Sequence, residues 1–215
     1  MLYSSFSILK VALHLPKPII NNMLTKAELR RSHLKTRQSL SVQTWKQKSD
    51  RLCAHIQHSP LFTQAQTILA YFTYRQEPDL TPLFTIPKKW GFPRCSGNQL
   101  SWHKWTPGDN LQTGKFGILE PDPDSPILEP SAVDLILVPA VACDTNGYRL
   151  GYGGGYYDRM LNLAEWSSKP AIGIIFEFAC LAELPIDSWD RPLQGFCTET
   201  GLIMVQKRSS LNPIG

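Results

Sequence analysis

The run VDLILVPAVAC, residues 133–143, admits few placements in a folded chain. A strand with one wet face alternates apolar and polar residues; this one does not, which predicts a central parallel strand covered on both faces. Two further runs read the same way, TILAYFTY (67–74) and AIGIIFE (171–177). KKWGFPRC and QLSWHKW are expected as two more strands, and TGLIMVQ as the last. Helical signals lie between them. Thr25 and Glu28 form a T-x-x-E capping box opening the helix KAELRRSHLKTRQ. A second helix is expected from about Ser41 to His58 with Trp45, Leu52 and Ile56 on its apolar side. A short helix should follow EPDL, and YYDRMLNLAEW should form one helix. PGDNLQTGKFGILEPDPDSP reads as a long loop. Alternating strands and helices predict an α/β fold with a mostly parallel sheet, in a single domain over 23–210.

Composition narrows the class. A net charge of +4, with no block of like charge, gives no footprint for nucleic acid. Residues 1–22 contain Lys10 and His14 and no uninterrupted apolar span of membrane length. They lack the layout of a cleaved leader and are expected to be a disordered extension, or to precede a true start at Met23. The five cysteines are dispersed, with no C-x-x-C pair, which suggests reduced structural thiols and a cytoplasmic protein. His33, His55 and His58 fall on predicted helices as surface residues, and no Ser-His-Asp or Cys-His set is apparent.

Chemistry concentrates in NGYRLGYGGGYYDRML, residues 146–161. Glycines remove the Cβ atoms that would hold an anion away from backbone N–H groups. Arg149 and Arg159 flank them and offer positive charge to a phosphate. The stretch is neither a P-loop, since no Gly-Lys-Ser/Thr follows, nor a dinucleotide fingerprint, since counting from Gly151 puts Tyr156 where the last glycine belongs.

GYRLGYGGGYYDR resembles the signature of the 5-formyltetrahydrofolate cyclo-ligase family, and the similarity extends over about 24–206. KAELRR, ILAYFTYRQEPDL, GKFGILEP and LPIDSWDRPLQGFCTE resemble further blocks in the same order. The resemblance implies a three-layer α/β sandwich related to ribose-5-phosphate isomerases and CoA-transferases; a monomer without nucleic-acid or membrane partners is expected. It implies closure of 5-formyltetrahydrofolate to 5,10-methenyltetrahydrofolate with ATP as co-substrate and Mg²⁺ as cofactor. For ATP it points to Lys26, Ala27, Glu28, Leu29 and Arg30, and to Arg149, Leu150, Gly151, Tyr152, Gly153, Gly154, Gly155, Tyr156 and Tyr157. For the folate it points to Phe72, Glu77, Trp105 and the stretch from Tyr152 to Tyr156. Arg149 and Tyr156 are the implied catalytic residues, and Asp158 and Asp190 the implied metal ligands. Some relatives carry lysine where this chain has Gly154.

Each residue also has a plainer reading. Asp158 suits a helix start and Asp190 a surface turn. Lys26 and Arg30 suit a solvated helix face, Glu77 a loop, and Phe72 the core. Two other functions fit the same scaffold: a sugar-phosphate isomerase needing no ATP, and a folate- or nucleotide-binding protein without turnover.

Overall fold

A computed structural model describes residues 24–205. The expectations for residues 1–22, for a start at Met23 and for the domain's end at 210 lie outside the described residues. The chain opens with three helices, α1 (Lys26–Gln38), α2 (Val42–Gln57) and α3 (Pro60–Gln64). The capping box forms as expected: Glu28 N–H donates to Thr25 Oγ1 at 3.3 Å and Thr25 N–H to Glu28 Oε2 at 2.8 Å. Ser41 caps α2, its hydroxyl accepting from Thr44 N–H at 3.1 Å.

Strands β1 (Thr67–Leu69), β2 (Lys89–Ser96) and β3 (Gln99–Trp105) follow, then a small hairpin of β4 (Leu111–Thr113) and β5 (Leu119–Pro121). A 3-10 turn at Thr81–Thr85 is the short helix expected after EPDL. Next come β6 (Leu135–Pro139), β7 (Ala142–Asp144), β8 (Arg149–Leu150), α4 (Tyr156–Leu161) and α5 (Ala164–Ser167). The described chain closes with β9 (Ala171–Ile174), β10 (Cys180–Leu181), β11 (Gly195–Thr198) and β12 (Gly201–Met204).

The main sheet has seven strands in the order β12-β11-β9-β6-β1-β2-β3. Its inner pairings, β11 with β9, β9 with β6, β6 with β1 and β1 with β2, are all parallel. Only the edge pairs β11–β12 and β2–β3 are antiparallel. Successive residues point to opposite faces of a strand, and both faces are apolar here. Ile68, Leu135 and Leu137 join the core beneath α2 and α3, while Leu69, Ile136 and Val138 join Met160, Leu161 and Trp166 from α4 and α5. The sheet is thus sandwiched between two helical layers.

Several boundaries differ from expectation. The run 133–143 is two strands in different sheets: β6 ends at Pro139, and β7 pairs with β8 and β10 in a separate three-stranded sheet. Both halves are buried, so hydrophobicity carries no mark of the change. The run 67–74 pairs only through Leu69, because the chain then leaves the sheet to line a cleft. The strand in 171–177 ends at Ile174, and a 3-10 turn follows at Glu177–Ala179. YYDRMLNLAEW is two short helices, broken where Leu163 turns extended at ψ 139°. The long loop contains the β4–β5 hairpin. β11, within GFCT, carried no expectation as a strand.

A candidate active site

The cleft lies where β1 and β6 end, at Tyr71, Phe72 and Pro139, the usual ligand position in an open parallel sheet. Its volume is about 650 Å³. Its lining is of two kinds. One group is aromatic and aliphatic: Phe72, Pro93, Leu100, Phe116, Ile118 and Leu119; Glu77 lines the cleft near Tyr71, Tyr152 and Tyr157. The other is charged and glycine-rich: Lys26, Arg30, Arg149, residues 151–155, Asp158, Asp187 and Asp190.

The glycine stretch does not leave the main sheet. It follows β8, a two-residue strand of the side sheet, antiparallel to β7. The β7–β8 turn is held by Asp144, a fully buried carboxylate that sequence reasoning passed over. Its Oδ1 accepts from Asn146 and Tyr148 N–H, both at 2.9 Å, and its Oδ2 from Leu184 N–H at 3.0 Å. That frame delivers Arg149 to the cleft. Gly153 has φ 101° and Gly155, the N-cap of α4, φ 68°, conformations that side chains disfavour.

Arg149 has a side chain only 4 % exposed and pairs with Asp158, Nη2 to Oδ1, at 2.8 Å. Its Nε has no partner, nor has the Tyr157 hydroxyl, among the described residues. Two orphaned polar atoms beside one cleft mark a place where a ligand or water completes the bonding. Lys26 is bridged by Asp187, at 2.6 Å, and by Asp190. Burial alone would lower the Lys26 pKa, but the two carboxylates outweigh it and hold it above its ordinary value. Arg30 Nε donates to Gly151 O at 2.7 Å, tying α1 to the glycine loop. Lys26 and Arg30, four residues apart, both line the cleft. Ala27 and Glu28 face solvent, Glu28 serving the helix cap, and Leu29 packs into a core cluster. Leu150, buried, lines the cleft with Tyr152 and Gly154. Tyr156 lines it too, its hydroxyl donating to Gly97 O at 3.2 Å. Arg159 is engaged with the carbonyls of Asn98 and Gly154 at 2.7 and 2.9 Å, and does not line the cleft.

Glu77 is 3 % exposed and enters the cleft from a strained turn. Arg75 and Gln76, neither of them glycine, have φ of 47° and 56°, and Glu77 N–H closes the turn on Tyr74 O at 3.1 Å. Each such residue costs about 1 kcal/mol or more, and strain of this kind gathers at functional sites. Glu77 Oε2 accepts from Tyr74 N–H at 3.0 Å. Burial pushes the Glu77 pKa up to about 7, against the opposing charge of Arg37 and hydrogen bonds from Tyr74 and Tyr152. Arg37, unremarked in the sequence, is 3 % exposed behind this turn.

Phe72 lines the cleft, stacked on Phe92 with centroids 4.1 Å apart. Trp105 does not line it. It is 9 % exposed, edge-on to Phe72 and Phe92 at 5.2 Å each, in the core behind them. Trp105, expected to stack on substrate, instead packs behind Phe72, its ring turned into the sheet's covered face. Asp158 and Asp190 both line the cleft, on segments joined by Asn162, whose Nδ2 donates to Asp158 O at 2.8 Å and Trp189 O at 3.2 Å. Asp187 and Trp189 were not anticipated. Their only sequence signal was proximity to Asp190.

A mostly parallel sheet with a polar-and-aromatic cleft at its strand ends defines an α/β enzyme with a composite substrate site. Residues 22–199 match the 5-formyltetrahydrofolate cyclo-ligase family, and the chain belongs to it. It is 28 % identical over 174 residues to the 5-formyltetrahydrofolate cyclo-ligase of Escherichia coli K12, covering 75 % of this chain and 93 % of that one. The Mycolicibacterium smegmatis enzyme of that name is 30 % identical over 177 residues, covering 77 % and 89 %. Among solved structures, the 5,10-methenyltetrahydrofolate synthetase of Aquifex aeolicus superposes with a TM-score of 0.76 at 34 % identity, over 87 % of this chain and 96 % of that one.

Proposed function

We propose that this chain closes 5-formyltetrahydrofolate to 5,10-methenyltetrahydrofolate, converting ATP to ADP and phosphate. The observation that carries this reading is one cleft holding a buried acid among aromatic walls together with a glycine loop among arginine and lysine. A pterin presents an amino group and a ring N–H, and the Glu77 carboxylate is an acceptor for both. Phe72 offers a flat apolar face to the ring. The triphosphate belongs against residues 151–155, where Gly153 and Gly155 turn the backbone and Lys26 and Arg30 stand alongside.

The chemistry asks little covalent work of the protein. A formamide oxygen is a poor leaving group; transferring the γ-phosphoryl group to it makes it a good one, and N10 then closes the ring as phosphate departs. What the chain must do is hold donor and acceptor in line and neutralise charge. Arg149, locked by Asp158, is a fixed cation for the moving phosphoryl group, and its unpartnered Nε is free to donate. Tyr156 closes one side of the cleft with its ring.

Asp158 and Asp190 fit a magnesium ion by chemistry: both are hard oxygen donors at the charged part of the cleft, and magnesium takes only one or two carboxylates. When bound, the ion offsets the charge of the triphosphate. The same reading makes the chain a cytoplasmic monomer of one domain, 23–210, with the sandwich of the ribose-5-phosphate isomerase and CoA-transferase folds. An isomerase needs no aromatic pterin pocket, and a protein that only binds needs no buried cation aimed at a phosphoryl group.

The experiment is direct. Purified protein is given 5-formyltetrahydrofolate with Mg-ATP, and the methenyl product is followed by its near-ultraviolet absorbance alongside ADP. One ADP per methenyl product is expected. No product at any pH from 6 to 9, or product without ATP, refutes the reading.

A further inference from the structure

Arg37 is a buried arginine that does not line the cleft. Its Nε donates to Arg75 O at 3.0 Å, its Nη1 to Ala140 O at 3.3 Å, and its Nη2 to the Tyr152 hydroxyl. These acceptors sit on three separate segments bounding the cleft: the strained turn before Glu77, the link from β6 to β7, and the glycine loop. A planar guanidinium donates in several fixed directions at once, which suits it to bridging these three. Among the described residues it forms no ion pair. A buried cation without a bonded counter-ion is costly unless a nearby charge offsets it, and the carboxylate that feels its charge is Glu77.

We propose that Arg37 is a positioning residue for folate recognition: it clamps the turn that presents Glu77 to the glycine loop that presents Tyr152, and its charge keeps Glu77 available as an acceptor. This rests on the reading that Glu77 binds the pterin. Arg75 and Gln76 provide the reason for a clamp, since two non-glycine residues at positive φ persist only where neighbours hold them. Arg37 bonds the carbonyl of the first.

The groups facing Glu77 are Arg37 from α1, Tyr71 from the segment after β1, Tyr152 from the glycine loop and Tyr157 from α4. Burial raises the pKa of each of the three tyrosines, so they stay neutral near pH 7. Arg37 is the charged member of the set. Removing it takes away the largest influence opposing burial, leaving only the hydrogen bonds from Tyr74 and Tyr152, and should move the Glu77 titration to higher pH.

The test compares wild type with Arg37→Gln, which removes the charge, and Arg37→Lys, which keeps it but loses the fork. Calorimetry measures 5-formyltetrahydrofolate and ATP affinities from pH 6 to 9. Urea unfolding of the ligand-free proteins over the same range reads the Glu77 titration with no ligand present. In wild type, folate affinity should rise with pH through about 7, where Glu77 ionises. In Arg37→Gln both midpoints should move up by about one unit, the effect of losing a nearby opposite charge, and folate affinity at pH 7.5 should fall at least tenfold, more than ATP affinity. Arg37→Lys should weaken folate binding while leaving the midpoint close to wild type.

Unmoved midpoints in Arg37→Gln, or equal losses for both ligands, overturn the proposal. If that variant does not fold, wild-type folate affinity in Arg37→Lys overturns it instead. Failure of the wild type to bind the folate at any pH would refute the functional reading, while the ligand-free midpoints would still judge the action of Arg37 on Glu77.

Discussion

Replacing Glu77 by glutamine should make the ligand-free protein more stable at alkaline pH while removing folate binding. In the folded chain Glu77 keeps its proton up to about pH 7; unfolded, it releases it near its ordinary value of 4.5. Between those values the folded state binds more protons than the unfolded one, so stability falls as pH rises. At about 1.4 kcal/mol per pKa unit, the full cost of ionising this buried acid is about 3 kcal/mol. Integrated from pH 5 to pH 8, about 2.5 kcal/mol of it is expressed. Glutamine does not titrate and keeps an acceptor for the Tyr74 N–H. Urea unfolding of both proteins at pH 5, 6, 7 and 8 reads the difference directly. The variant's advantage should grow by about 2–3 kcal/mol across that series, mostly below pH 7. Calorimetry at pH 7.5 should show folate affinity lost and ATP affinity kept. A stability difference that stays flat with pH would refute the assignment of a raised pKa to Glu77, and full folate affinity would refute its role as the pterin acceptor.

Gly153→Ala and Gly153→Val should both lose ATP affinity and at least about 1 kcal/mol of stability, because a residue with a side chain strains at φ 101°. A Cβ there would come no closer than 3.7 Å to Arg30, so for alanine space is not the obstacle; an alanine variant with wild-type ATP affinity and melting temperature would show the reasoning wrong. Asp158→Asn strands the Arg149 cation and should cost about 2 kcal/mol, less than a fully buried pair because Asp158 is partly exposed, along with turnover. An unchanged melting temperature would count against that pairing. Trp105→Phe should lower stability by about 1–2 kcal/mol through lost packing and leave folate affinity within about twofold; a tenfold loss of affinity at full stability would return Trp105 to the binding site.

Local chemistry was legible in the sequence. The capping box at Thr25 and Glu28 needs only four residues and formed as read. The doubly covered strand class followed from apolar runs at 67–74, 133–143 and 171–177, since burial on both faces leaves no polar alternation to see. The glycine stretch announced a loop that only glycine tolerates, and Gly153 and Gly155 do take positive φ. Other features came from the tertiary structure. Whether 133–143 is one strand or two depends on partners over thirty residues away, because β7 pairs with β10, not with a neighbour of β6. Trp105 and Phe72 are both aromatic residues near strand ends; which one meets the cleft is set by how the sheet's faces are covered. Arg37 looked like one more cation in a basic helix. Its burial, its three acceptors and its charge beside Glu77 arise only when α1 packs across the ends of the turn, the β6–β7 link and the glycine loop, since a pKa and an ordered side chain depend on neighbours distant in the chain.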